Sequence, residues 1–234
     1  MNGAQVGIII QARMGSTRLP EKVLKPIGNR VLLGHIIERL RRLQTPALPV
    51  FATSTERRDD AVERFCREAG VACFRGSESD VLDRYYRCAA EHGFTHVVRL
   101  TGDNPFPDME ELDRLIALHL KENADFTHSF RVLPIGVGAE IFTFEALQAS
   151  WREGMAPHHR EHVDEYLLEN PDRFETLELE AVPCKHRPEV RLTVDTEADY
   201  RKACYIVEHA CSEPVTTEEA ILLSERYETT QEER

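Results

Sequence analysis

Apolar residues fall in short clusters along this chain, and the spacing inside each cluster indicates the element it forms. VGIIIQ (6–11) is a continuous apolar run of the length that suits a strand buried on both faces. In VLLGHIIERLRRLQ (31–44), Leu32, Ile36, Leu40 and Leu43 recur at helical spacing. LPVFATS (48–54) reads as the next strand, and DAVERFCREAG (60–70) as a helix ended by Gly70. VACFRG (71–76) follows as a short strand and DVLDRYYRCAAEHG (80–93) as a helix closed by Gly93. THVVRLTGD (95–103) is a strand running into a turn, and MEELDRLIALHLKEN (109–123) is an amphipathic helix. Strand and helix thus alternate four times within the first 120 residues, which predicts βαβ units and a largely parallel sheet.

The pattern changes beyond residue 123. DFTHSF (125–130) and IGVGAEIFTF (135–144) read as strand-like, with GVG (136–138) as a turn. A helix is expected near 144–153 and a histidine-bearing helix over 157–169. FETLELEAV (174–182) alternates apolar and polar residues, as an antiparallel or edge strand does. EVRLTVD (189–195) reads as another buried strand, ADYRKACYIVEHA (198–210) as a helix, and TTQEER (229–234) as a frayed tail. There is no internal repeat, low-complexity linker or convincing domain boundary. The expectation is one α/β domain over residues 1–228, with a mixed, mainly parallel sheet flanked by helices.

Composition narrows the class. The 234 residues are 41% hydrophobic and 30% charged, too apolar for a disordered chain and ordinary for a soluble globular one. No run approaches the ~20 apolar residues of a membrane span. The first 12 residues lack the basic start of a signal peptide, so a cytoplasmic location without a membrane partner is expected. The six cysteines form no C-x-x-C pair, and most lie in apolar-periodic stretches, as reduced packing cysteines do. A net charge of −12 argues against a nucleic-acid partner. The charge is uneven, however. Residues 1–42 carry eight basic side chains (Arg13, Arg18, Lys22, Lys25, Arg30, Arg39, Arg41, Arg42) against Glu21 and Glu38, a local +6 that leaves −18 on the other 192 residues.

In an open α/β sheet, ligands bind beyond the carboxyl ends of the strands, and three features of the chain fall there. QARMGSTRLPEKVL directly follows the first strand; Gly15 and Ser16 can bring backbone N–H groups to an anion, and Arg13, Arg18 and Lys22 place three cations within ten residues. The loop is neither a Walker A sequence nor a G-x-G-x-x-G fingerprint. On composition alone it is equally a solvated basic loop. Asp103, in LTGDNPFPD, and Asp195, in RLTVDTEADY, each end a strand-like run. Either could cap a turn, but together with a basic loop they suit a hard divalent cation beside a polyphosphate. The histidines of PHHREHVDEY lack the H-E-x-x-H order; His158 and His162 are spaced to share a helix face, either simply polar or in contact with substrate.

VGIIIQARMGSTRLPEKVLKPIGNRVLLGHIIERL resembles the opening of the cytidylyltransferases that activate acidic sugars as CMP derivatives, and is most similar to their spore-coat polysaccharide biosynthesis protein F branch. The likeness continues in order through VVRLTGDNPFPD, PIGVGAEIFTFEAL, HREHVDEYLLENPDRFE and VRLTVDTEADY, covering residues from about 6 to about 205. The resemblance implies a nucleotide-diphospho-sugar transferase fold, a homodimer, and a triphosphate loop matched by Arg13, Gly15, Ser16, Arg18 and Lys22. It further implies Mg²⁺ ligation by Asp103 and Asp195, an approach of Arg75 and Ser77 to the base, and acceptor-side positions for Arg99, Glu140 and His162. Read without the resemblance, Arg99 and Glu140 form a structural pair. Two positions depart from the pattern. Glu21 stands where the loop usually has glycine, and Asn104 follows the motif aspartate where the branch often has a small residue.

The expected activity is Mg²⁺-dependent transfer of CMP from CTP to an anionic small-molecule acceptor with release of pyrophosphate, with Arg13, Lys22, Asp103 and Asp195 in the catalytic roles. Two alternatives stay open at this point. One is a glycosyltransferase of related fold, although TGDNP offers no D-x-D motif; the other is a nucleotide-binding protein without turnover.

Overall fold

The buried run at the start of the chain becomes the centre of the sheet. In the computed structural model, which describes residues 4–232, β1 (Val6–Gln11) pairs in parallel with β4 (Leu48–Ser54) on one side and β6 (His96–Thr101) on the other. Between β1 and β4 lie a small antiparallel hairpin, β2 (Pro26–Ile27) with β3 (Arg30–Val31), and helix α1 (Leu32–Leu40). Helix α2 (Asp60–Ala69) leads to β5 (Ala72–Gly76), parallel to β4 at the sheet edge. Helix α3 (Val81–His92) then carries the chain back across β1 to β6. The alternation read from the sequence is therefore present, and Gly70 and Gly93 end their helices at φ 69° and 67°, as glycines can without a Cβ penalty.

The second half reverses direction. Helix α4 (Met109–Glu122) precedes β7 (Phe126–His128) and β8 (Glu140–Thr143), and β8 runs antiparallel to both β6 and β7. Among the described residues the large sheet has seven strands in the order β5-β4-β1-β6-β8-β7-β9, with β9 (Thr176–Glu178) at its edge. That edge strand is shorter than the alternation suggested, and it pairs in parallel with β7. Helices α5 (Phe144–Glu153), α6 (Pro157–Glu161), α7 (Glu165–Leu168), α8 (Glu197–His209) and α9 (Thr217–Glu232) complete the fold.

Alternating residues of β1 feed two cores. Ile8 and Ile10 pack with Leu32, Leu33 and Ile36 of α1 and with Leu112, Leu115 and Ile116 of α4. Ile9 packs on the opposite face with Tyr85, Cys88 and Ala89 of α3 and with Phe126 and Phe142. A period of two with both faces covered is what makes the strand apolar throughout.

Three expectations need correction. The segment 189–195 is not a strand: Leu192 and Val194 are buried, but its backbone reaches loops, Leu192 N–H bonding to Ile135 C=O and Val194 N–H to Asp103 C=O, and one isolated bridge, Ile135 to Arg191, is formed. The histidine-bearing segment is two short helices, broken where His162 adopts extended backbone (φ −112°, ψ 110°). Residues 229–232 continue α9 as helix, whereas the rest of the tail expected to fray lies outside the described residues. All six cysteines are free, with Cys66 and Cys88 buried and Cys184 and Cys211 exposed.

Candidate active site

The chain leaves β1 toward β4 on one side of the sheet and later returns to β6 on the other, so the switch point of this doubly wound half lies at the carboxyl ends of β1 and β6. The loop after β1 starts there. Its backbone is folded on itself, with the N–H groups of Ser16 and Glu21 both donating to Met14 C=O. Buried Asp59, beside the start of α2, anchors it from below: one carboxylate oxygen accepts from Met14 N–H at 2.7 Å, and the other accepts from the Ser54 hydroxyl at the end of β4. The loop ends in a 3-10 turn, Lys22–Leu24, entered through Glu21 at φ 59°. That left-handed backbone suits glycine, and this chain places a glutamate in it.

Gly102 brings Asp103 against this loop. Its N–H donates to Gln11 C=O at 2.6 Å, and a Cβ there would stand 2.8 Å from the same oxygen. Gly136, at φ 93°, does the equivalent for Asp195: a Cβ would lie 2.7 Å from Thr193 N, so only glycine lets the 134–137 turn seat the 190–194 segment. Val194 N–H then bonds to the carbonyl of Asp103 itself at 2.9 Å, which sets the two aspartates side by side. The segment whose strand pairing failed thus serves to place Asp195.

The two carboxylates converge on Lys22. Its ammonium lies 2.8 Å from Asp103 Oδ2 and 2.8 Å from Asp195 Oδ1. Arg18 also reaches Asp195 Oδ1, at 3.0 Å, and Arg191 bonds to the other oxygen of Asp195. Although burial opposes it, the hydrogen bonds and charges of Lys22, Arg191 and Arg18 hold the Asp195 carboxyl below its ordinary value. Arg13 stands near Glu161 at 3.6 Å, a looser contact.

On the other side of the same hollow, Arg99 on β6 and Glu140 on β8 face each other in register and pair at 2.6 Å, both deeply buried. Burial pushes the Glu140 carboxyl up to about 7, and Arg99 only partly offsets it. Arg99 Nε, Glu140 Oε2 and Gln11 Oε1 have no hydrogen-bond partner among the described residues.

A polar cavity of about 410 Å³ is lined by the loop, Lys22, Arg99, Asp103, His162 and Asp195, whereas Glu140, expected at the site, stands behind Arg99 and outside the lining. Larger hollows of about 540 and 590 Å³ lie between α1 and the 210–218 segment. Their cations are already engaged: Arg30 with Glu213, Arg39 with the carbonyls of Pro105 and Val215, and Lys185 with Asp108 and Glu110. The strand-end cavity differs in gathering Arg13, Arg18, Lys22 and Arg99 with both aspartates around one hollow.

Two further expected residues stand apart from this cavity. Arg75 is committed to Asp60 and Glu63, at 2.7 and 2.8 Å, and to the carbonyls of Ser54 and Glu56. Ser77 accepts from Asp80 N–H at the start of α3. His158 also leaves the site, bonding with His159 to Glu169, while His162 lines the cavity because the helix breaks there. Asn104 donates to Thr101 within its own turn. Sequence reasoning missed Gln11, Thr101 and Glu161 in the lining, and Arg191 and Asp59 behind it. Arg191 had a signal, a cation four residues before Asp195; Asp59 had none.

A doubly wound sheet that sets a basic loop and two neighbouring aspartates at its switch point is built to take an anionic ligand there. The family is more specific: a cytidylyltransferase model matches residues 7–228, and the chain belongs to that enzyme family, which uses CTP for group transfer. It is 37% identical over 224 residues to the spore coat polysaccharide biosynthesis protein SpsF of Bacillus subtilis, with 93% of each chain covered. A solved cytidylyltransferase from Leptospira borgpetersenii superposes with a TM-score of 0.90 at 33% identity, covering 97% of this chain and 96% of that one. A CMP:2-keto-3-deoxy-manno-octonic acid synthetase solved with CTP shares the fold, at a TM-score of 0.65 and 19% identity over 88% of this chain and 99% of that one.

Proposed function

We propose that this cytidylyltransferase transfers CMP from CTP to an acidic sugar or a related anionic small molecule, releasing pyrophosphate, with Mg²⁺ as the metal. The observation that carries the reading is the convergence of Asp103 and Asp195 on a single cation, the Lys22 ammonium, at 2.8 Å each, directly beside the loop of Arg13, Gly15, Ser16 and Arg18. The donor set fits a hard divalent cation, since carboxylate oxygens that share one positive charge offer the oxygen ligands Mg²⁺ prefers. Asp103 and Asp195 would hold it, and it would supply charge neutralisation at the phosphates.

In the reaction the acceptor hydroxyl oxygen forms a bond to the α-phosphorus and gives up its proton to water as the bond from that phosphorus to the pyrophosphate oxygen breaks, in line and without a covalent enzyme intermediate. Arg13 and Lys22 neutralise charge growing on the leaving phosphates, while Ser16 and the backbone N–H groups near Gly15 orient them. Arg18 needs to release Asp195 to join them. On the acceptor side, Arg99 and His162 form the wall that an anionic acceptor meets, with Glu140 held behind Arg99. Arg99, which lines the cavity, is the cation in that wall. Arg75 and Ser77 would reach the base only after leaving their present partners.

The test is pyrophosphate release with CTP and Mg²⁺ across a panel of 2-keto sugar acids, sugar phosphates and phosphonates. Release is expected with at least one sugar acid. Tight CTP binding without release for any acceptor would favour a nucleotide-binding protein without turnover.

A further inference from the structure

Lys22 belongs to the triphosphate loop by position, yet its ammonium is spent on the two aspartates. Its side chain is only 10% exposed, and its nitrogen sits at the point toward which Asp103 Oδ2 and Asp195 Oδ1 both turn. Two carboxylates this close repel one another unless a cation lies between them. A divalent ion bonding to the same oxygens would meet a fixed positive charge within contact distance, so the ammonium and the ion compete for one place. Lysine suits an exchangeable occupant, being a compact point charge on a flexible stem, whereas arginine binds in a fixed planar fork. Arg191, on the other oxygen of Asp195, would keep that carboxylate in place as Lys22 leaves.

We infer that Lys22 is a tethered stand-in for the metal: in the nucleotide-free enzyme its ammonium occupies the cation position between Asp103 and Asp195, excludes a divalent ion from it, and yields it when triphosphate oxygens draw the ammonium away. The inference rests on the reading of Asp103 and Asp195 as metal ligands, and adds that metal and nucleotide enter together. By linkage, the factor by which nucleotide raises metal affinity equals the factor by which metal raises nucleotide affinity.

The probe is Mn²⁺ alone, with free ion counted by electron paramagnetic resonance, titrated into wild type, Lys22→Met, and each of these carrying Asp195→Asn. Without nucleotide, Lys22→Met is expected to bind Mn²⁺ on the order of tenfold or more tighter than wild type, the scale set by removing one unit charge at contact distance. Asp195→Asn should abolish that gain. If wild type binds Mn²⁺ as tightly as Lys22→Met, and Asp195→Asn weakens both, the metal ligands stand and the stand-in role of Lys22 is overturned. Binding indifferent to Asp195→Asn in every background would overturn the metal reading and the inference with it. Lys22→Gln serves as a second variant should Lys22→Met not fold, and the wild-type titration decides by itself if it already shows tight, Asp195-dependent binding.

Discussion

On the loop side of the cavity, charged groups have more partners than they can use at once: Lys22 bonds to two carboxylates, and Asp195 meets Lys22, Arg18 and Arg191. On the far side, Arg99 and Glu140 have essentially each other, in register across two strands, with Arg99 Nε and Glu140 Oε2 unpaired among the described residues. The loop side has an open rim, Arg18 being 63% exposed and Asp103 28%, around Lys22 and Asp195 at 10% and 19%, whereas Arg99 and Glu140 are 15% and 10% exposed with no such rim. The difference separates two tasks. An exposed cation at the rim, such as Arg18 on Asp195, can be traded for phosphate at little net cost. A buried pair cannot be parted so cheaply, because either partner alone is left as an uncompensated charge. The first arrangement suits a polyphosphate that arrives and departs in pieces; the second suits a rigid wall that selects.

Breaking the scaffold of the loop side should have the largest effect on stability. Asp59→Ala removes charge-assisted hydrogen bonds to Met14 N–H and the Ser54 hydroxyl, and should cost about 3 kcal/mol, a fall of roughly 6–12 °C in Tm. An unchanged Tm would mean that the loop does not depend on this anchor. The fixed side should instead show itself through pH. Burial raises the Glu140 carboxyl from 4.5 to about 7 in the folded chain. The native state therefore holds a proton that the unfolded state has lost, and the associated stability, complete below 4.5, disappears as the pH rises through 7. Wild type should lose about 1–3 kcal/mol more than Glu140→Gln across that window in denaturant melts; parallel curves would contradict the burial argument. The smallest effect sharpens the loop geometry. Glu21→Gly relieves a left-handed residue at φ 59° and should raise stability by about 0.5–1 kcal/mol, read as a small upward shift in Tm. A lowered Tm would show that Glu21 contributes contacts outweighing its backbone strain.

Much of this architecture was legible in the chain because its signals are local. A buried strand, an amphipathic helix and a glycine cap each occupy one stretch of sequence, and β1 through α4 follow that reading closely. Asp103 and the basic loop were legible for the same reason, since each adjoins a strand end. The 189–195 segment was misread because burial on both faces resembles a strand, while its hydrogen bonds go to Ile135 and Asp103, far away in sequence. The break at His162 was hidden because Val163 and Leu167 are both buried at a helical spacing of four. The local +6 of residues 1–42 also divides in two once partners are known. Arg13, Arg18 and Lys22 line the cavity, while Arg30 pairs with Glu213, Arg39 is buried on carbonyls and Arg41 pairs with Glu38. Only a three-dimensional count of partners separates a structural cation from one poised for phosphate.

The account turns on Asp103 and Asp195 acting together with Lys22 at the nucleotide's phosphates. Its most direct test is the rate of pyrophosphate release from CTP and Mg²⁺, with a responding acceptor, in Asp103→Ala and Asp195→Ala against wild type. Each substitution should lower the rate by on the order of 10²–10³ or more, the scale for removing a charged group from a transition-state site. A wild-type rate in either variant would contradict the assignment.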